Sequence, residues 1–328
     1  MLIIVACQFI APKVRVASPL ILLAVGLYGL VLLRGLRHDA QGQARAANAD
    51  PPSHAAGAGA PAARPAAAPA PRGAAGAAVG WRGLDVVLGA GLLAHALVLI
   101  SPWWRVDEVF HFGFAYLLSA TVWIALLLIW LESRHMSVGR LPVLLAPLAM
   151  VVVVLPVFFP GAAFPLDRQT PFFVPHLVVG TLAYGVVFLA ALQALLMAAA
   201  EHRLHPRRQD RAGLITTLLA RGHQALPPLM VLERILFNVI SVAFVLLLLT
   251  TVSGGLFSEE IFGRPLTLNH KTVFSLVATI FFGLLLLGRR LWGWRGRLAI
   301  RLTLGGFILL LLSYVGSRFV LEVILNRI

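Results

Sequence analysis

Eight long apolar runs, each close to bilayer length, constrain this chain more than any other feature. A transmembrane helix needs about 20 mostly apolar residues, with a range near 17 to 25. By that measure the spans are Val16–Leu33, Leu84–Ile100, Phe110–Leu131, Leu141–Phe159, Val174–Ala199, Ile235–Phe257, Leu268–Gly288 and Ala299–Leu325. The sequence is 59% hydrophobic and only 12% charged, about half the charged share of a soluble domain. A soluble fold has nowhere to put that much apolar surface. The expectation is an all-α, polytopic membrane helix bundle with lipid as its main partner.

The net charge of +14 would suggest nucleic acid in a soluble protein. Here the arginines concentrate in the loops after the first, third, fifth and seventh spans, from Arg34 to Arg82, at Arg134 and Arg140, from Arg203 to Arg234, and from Arg289 to Arg301. Positive charge is retained on the cytoplasmic side of bacterial membranes. This reading needs no nucleic acid, and it places both termini in the periplasm.

Residues 1–34 read as a retained N-terminal anchor span, since no A-x-A cleavage site directly abuts the apolar stretch. Residues 35–80 are rich in Ala, Pro and Gly, the composition of a low-complexity, disordered cytoplasmic loop. Residues 81–328 then form a membrane domain of seven spans. The segment "LPPLMVLERILF", with Pro228 suited to a first helical turn, reads as an interfacial lead-in helix before span 6.

The single cysteine, Cys7, excludes C-x-x-C thiol exchange, C-x-x-C-H haem attachment and a cysteine zinc site. No G-x-S-x-G, phosphate loop or H-E-x-x-H is present, so the familiar hydrolase, nucleotide and zincin chemistries have no footing. Acidic residues lie near span ends, as at Asp85 and Glu322, which disfavours a proton-driven pump.

What remains is histidine. Spans 5 and 7 both enter from the outer side, and both begin with one: "FFVPHLVVGTLAYG" carries His176, and "LTLNHKTVFSLVA" carries His270 beside Lys271. A helix N-terminus has unpaired N–H groups and a partial positive charge. It favours neutral imidazole, the form that ligates iron, and it welcomes anions, to which Lys271 adds a formal charge. His176, Gly180 and Tyr184 recur every four residues and so share one helix face. Gly180 either leaves room for a flat ligand or lets another helix approach.

His95, within span 2, is a third candidate. It is open to a ligand role, a supporting role beside a ligand, or a helix–helix hydrogen bond. Arg105 follows Trp103 and Trp104 in an outer loop, where the tryptophans suit the aromatic belt.

The stretches "PHLVVGTLAYG", "LPPLMVLERILF", "LTLNHKTVFSLVA" and "WRGRLAIRLTLGGFILLLLSYVGSRFVLEVIL" resemble the cytochrome c assembly protein family, and within it the YpjD-like and HemX-like branch of inner-membrane proteins. The resemblance runs from Trp81 to Leu325. It implies a bacterial inner-membrane protein that handles non-covalent, b-type haem in cytochrome c biogenesis, with other maturation components as partners. It maps the family's outer haem-ligating histidines onto His176 and His270, and an intramembrane haem histidine onto His95. Lys271 and Arg105 would then neutralise propionates. The family's tryptophan-rich loop is absent between spans 5 and 7, where "SGGLFSEEIFGRPLT" stands. That departure points to a haem-binding helper rather than a haem lyase. The rival readings are a cofactor-free adaptor, using the basic loop from Glu201 to Pro228, and a permease for a neutral small molecule.

Overall fold

The computed structural model describes residues 19–38, 40–41, 73–101, 109–133, 141–165, 171–204, 229–258, 270–320 and 324. Eight helices are long and apolar enough to cross a membrane. They are α1 (Pro19–His38), α2 (Gly73–Ile100), α3 (Phe114–Glu132), α4 (Leu141–Phe158), α5 (Phe173–Leu204), α6 (Leu229–Leu256), α7 (His270–Trp292) and α8 (Gly296–Leu311). α8 continues through a π-helical segment, Leu312–Gly316, into Ser317–Phe319. Leucines and valines stay exposed along α1, α6 and α7, as lipid-facing helices require. The chain is a multi-pass membrane protein.

The bundle has two packed groups that share α5. In the first, α1 presents Ile21, Ala24, Tyr28 and Val31 to α2, α3 and α4, joined by Leu189 and Leu196 of α5. That spacing lines one stripe of a helix, and through it α1 packs against the other helices. Two tryptophans of α3 fasten α2 through its backbone: Trp123 Nε1 donates to the Leu92 carbonyl at 2.8 Å and Trp130 Nε1 to the Asp85 carbonyl at 3.0 Å. In the second group α5, α6, α7 and α8 close around Leu236, Ile240, Leu247, Phe282 and Leu310. α5 also crosses α3 tightly, because a side chain at Gly185 would collide with Ile124.

Three element boundaries differ from those expected. Residues Val109–Phe112 are not the start of span 3 but a strand, β1, paired antiparallel with β2 (Ala162–Pro165). The helix starts only after Gly113, whose backbone is extended. The ribbon closes where Gly161 adopts φ +80°, and a Cβ there would strike the Gly113 backbone. "LMVLERILF" is not a separate interfacial helix either. It forms the first turns of a continuous α6, with Leu232 and Leu236 buried. α2 begins at Gly73, inside the stretch expected to be disordered; residues 42–72 lie outside those described.

The β-ribbon marks one end of the bundle. Helices α5 and α7 start at that end and α6 finishes there, since consecutive spans alternate in direction. The opposite end carries Arg289, stacked 3.7 Å over the Phe237 ring, and Arg297, which pairs with Glu201 at 3.7 Å.

Candidate functional site

The first turn of α5 builds the site. Pro175 is tolerated there because the first N–H groups of a helix have no intrahelical acceptor. The His176 N–H donates to the Phe172 carbonyl at 3.1 Å, so the imidazole leaves the helix within one turn of its start. Its Nδ1 meets Ser253 Oγ of α6 at 2.8 Å. One turn further out, Phe172 and Phe257 stack with centroids 4.7 Å apart and planes 6° from parallel. α5 and α6 are therefore joined at the ribbon end by a polar rung with an aromatic rung beyond it.

The shared face expected for His176, Gly180 and Tyr184 divides. Gly180 turns to α6, where an added Cβ would sit 3.4 Å from the Thr250 methyl group. Of its two readings, the geometry is that of close helix packing. Tyr184 turns instead to α8, its hydroxyl donating to the Leu310 carbonyl at 2.9 Å. That carbonyl lies two residues before the π-helical segment Leu312–Gly316, where the hydrogen-bond register shifts by one residue. Ser317 Oγ collects two more carbonyls there, Ser313 at 2.9 Å and Tyr314 at 3.0 Å. Tyr184 thus ties α5 to α8 close to that register shift.

His95 has the most enclosed setting of the candidates. It is completely buried, as are Tyr28 and Ser119. Tyr28 Oη lies 3.1 Å from its Nδ1, and Ser119 Oγ lies 2.9 Å from its Nε2. Both ring nitrogens are occupied, by α1 on one side and α3 on the other. Of the three roles open to it, this is the helix–helix hydrogen bond, and a ligand role would need one of those contacts to break. A buried polar group without a partner costs far more than one that is matched, so the three residues function as a unit.

His270 and Lys271 open α7; their side chains lie outside the described residues, as do Arg105, Trp103 and Trp104. Packing nevertheless relates α7 to His176. α6 contacts α5 through Thr250, Ser253 and Gly254, and it contacts α7 through Thr251, whose Oγ1 is 3.1 Å from Thr279 Oγ1. The two histidine-starting helices therefore flank the same α6, with their N-termini at the ribbon end. Ser253 and Gly254 are the residues that sequence reading missed. Both lie in the last turn of α6, which ends at Leu256, inside the expected span Ile235–Phe257; only the packing of α5 against them marks them out.

Residues 88–325 match the family described as Cytochrome C assembly protein. Inner membrane protein YpjD of Escherichia coli (strain K12) is 30% identical over 192 residues, 58% of this chain and 68% of that protein. An uncharacterized 28.8 kDa protein in the nifR3-like 5'region of Azospirillum brasilense is 30% identical over 260 residues, 74% of this chain and 85% of its own length. Cytochrome c biogenesis protein CcsA of Synechococcus sp. (strain CC9311) is 24% identical over 289 residues, 71% of this chain and 95% of that protein. No solved structure gives a significant match. The family match takes in α3 to α8 whole and most of the membrane part of α2, and with it both histidine-starting helices: the chain belongs to the cytochrome c assembly protein family.

Proposed function

We propose that this protein binds b-type haem at the periplasmic face of a bacterial inner membrane and supports cytochrome c biogenesis, with His176 and His270 as the residues that would hold its iron. One observation carries the reading: two helices that begin with histidine flank a single helix, α6, and start at the same end of the bundle. The donor set suits the group. Each histidine sits at a helix N-terminus, where the dipole favours the neutral imidazole that iron requires. Lys271 and Arg105 supply cations for the propionates. The arginines at the opposite end support a cytoplasmic placement for that end by the positive-inside rule, and YpjD is named an inner membrane protein. Other cytochrome c maturation components are the partners this role entails.

Haem would supply the iron chemistry, and the protein's residues would set ligation and orientation. The test is a haem titration of detergent-purified protein, followed in the visible spectrum beside His176→Ala and His270→Ala. The expected result is a saturable Soret band in the wild type that either substitution removes. Wild-type protein that takes up no haem above the detergent background would contradict the reading and favour the cofactor-free adaptor.

A further inference from the structure

We infer that the turn between α7 and α8 binds the headgroup of an anionic phospholipid, with Arg301 reaching to its phosphate from inside the membrane span and the stacked Trp292 and Trp294 holding the turn in shape. Haem and the histidines at the ribbon end have no part in this site.

Five arginines stand between positions 289 and 301. Two are engaged within the protein: Arg289 lies over the Phe237 ring, and Arg297 pairs with Glu201. Arg290, Arg295 and Arg301 are exposed, and among the described residues no carboxylate pairs with them. The positive-inside rule accounts for arginines in the connecting turn. It does not account for Arg301, which lies five residues into the span that begins at Gly296, about 7.5 Å along the helix. The residues one turn away on α8 are Arg297, Leu298, Leu304 and Gly305, so its own helix offers no acid. Leu298 and Ile308, on the same face, are exposed as lipid-facing residues are. A cation in that position is costly unless it extends to the interface and meets an anion there. Basic clusters at the membrane edge recognise anionic headgroups by charge.

The turn is built, not loose. Gly293 and Gly296 adopt φ +65° and +56°, and the Trp294 N–H donates to the Gly288 carbonyl at 3.3 Å. The Trp294 ring lies directly on Gly288, where an added Cβ would collide with it. Trp292 stacks on Trp294 with centroids 5.6 Å apart and planes 27° from parallel. Tryptophan favours the headgroup level of a bilayer, so the pair sets both the depth of the turn and the direction of the arginines that flank it.

The experiment is native mass spectrometry of the full-length protein in detergent, titrated with phosphatidylglycerol or with phosphatidylcholine of the same acyl chains. The wild type should retain phosphatidylglycerol in preference. Arg301→Gln should weaken that retention about five-fold. Arg37→Gln, which removes an exposed arginine from α1 at the same end of the bundle, should leave it unchanged. Gly288→Ala keeps every charge and displaces Trp294, and it should also weaken retention. Millimolar inorganic phosphate should not compete. Equal retention of the two lipids by the wild type overturns the site. So do equal losses in Arg301→Gln and Arg37→Gln, which would mean diffuse charge, and full competition by phosphate, which would mean a free anion as occupant. Should Gly288→Ala not fold by circular dichroism, the two arginine variants decide between a built site and diffuse charge.

Discussion

His95 and His176 are the same residue in two different situations, and the contrast separates what holds this bundle together from what it offers to a ligand. His95 sits where α1, α2 and α3 meet, completely buried, with a hydroxyl on each ring nitrogen. His176 sits at the end of α5, half-buried, with a serine of α6 on Nδ1. An intramembrane histidine is a functional candidate by default, but at His95 the polarity is consumed by neighbouring helices. The fully buried histidine is bonded to two neighbouring helices, and the one at the helix end is the candidate ligand we propose.

The sharpest way to break this contrast is to exchange the consequences of the two substitutions. His176→Ala and His270→Ala are expected to abolish the Soret band of the haem-loaded protein while leaving the fold intact, read by visible and circular dichroism spectra. His95→Leu should do the opposite, retaining the Soret band and weakening the fold. Its cost follows from stranding the Tyr28 and Ser119 hydroxyls: about 1–3 kcal/mol for a buried group left unsatisfied. Unfolding by a denaturing detergent from mild micelles measures it. A Soret band lost in His95→Leu at unchanged stability would reverse the assignment.

Smaller effects sharpen the same comparison. Tyr28→Phe keeps the ring that packs against α2 and removes one hydroxyl. Interhelical hydrogen bonds in membranes average about 0.6 kcal/mol, so it should destabilise less than His95→Leu in the same assay. At the other site, Gly254→Ala should weaken haem binding a few-fold by crowding the edge of His176. Gly180→Ala should change stability by less than about 0.5 kcal/mol, because its Cβ would reach only ordinary contact with Thr250. Destabilisation well beyond that would show that α5 and α6 approach more closely than this geometry allows.

The legibility of this fold in its sequence follows the reach of each signal. Hydropathy marks an apolar run wherever it lies, and all eight spans were readable. It does not mark helix ends. Glu233 and Arg234 interrupt the apolar pattern, yet the backbone of α6 passes through them, since long charged side chains can extend from a helix towards the membrane surface. The β-ribbon joins Val109–Phe112 to Ala162–Pro165, two four-residue segments too short for periodicity and far apart in the chain. At the site, helical periodicity placed His176, Gly180 and Tyr184 on one side of α5. It could not say that Gly180 would meet α6 while Tyr184 met α8, because the choice of neighbour is a tertiary fact. Ser253 escaped notice for the same reason: a serine in the last turn of span 6 has no mark of its own until α5 is seen against it. The register shift at Leu312–Gly316 has no local mark in an apolar helix.

The most direct test of the central claim is the electron paramagnetic resonance spectrum of the ferric, haem-loaded protein. Two imidazoles on one iron give a low-spin signal. The account predicts that signal in the wild type, its replacement by a high-spin signal in each of His176→Ala and His270→Ala, and its recovery when free imidazole is added to either variant. A low-spin signal that survives either substitution would contradict the paired ligation of one haem by the histidines that open α5 and α7.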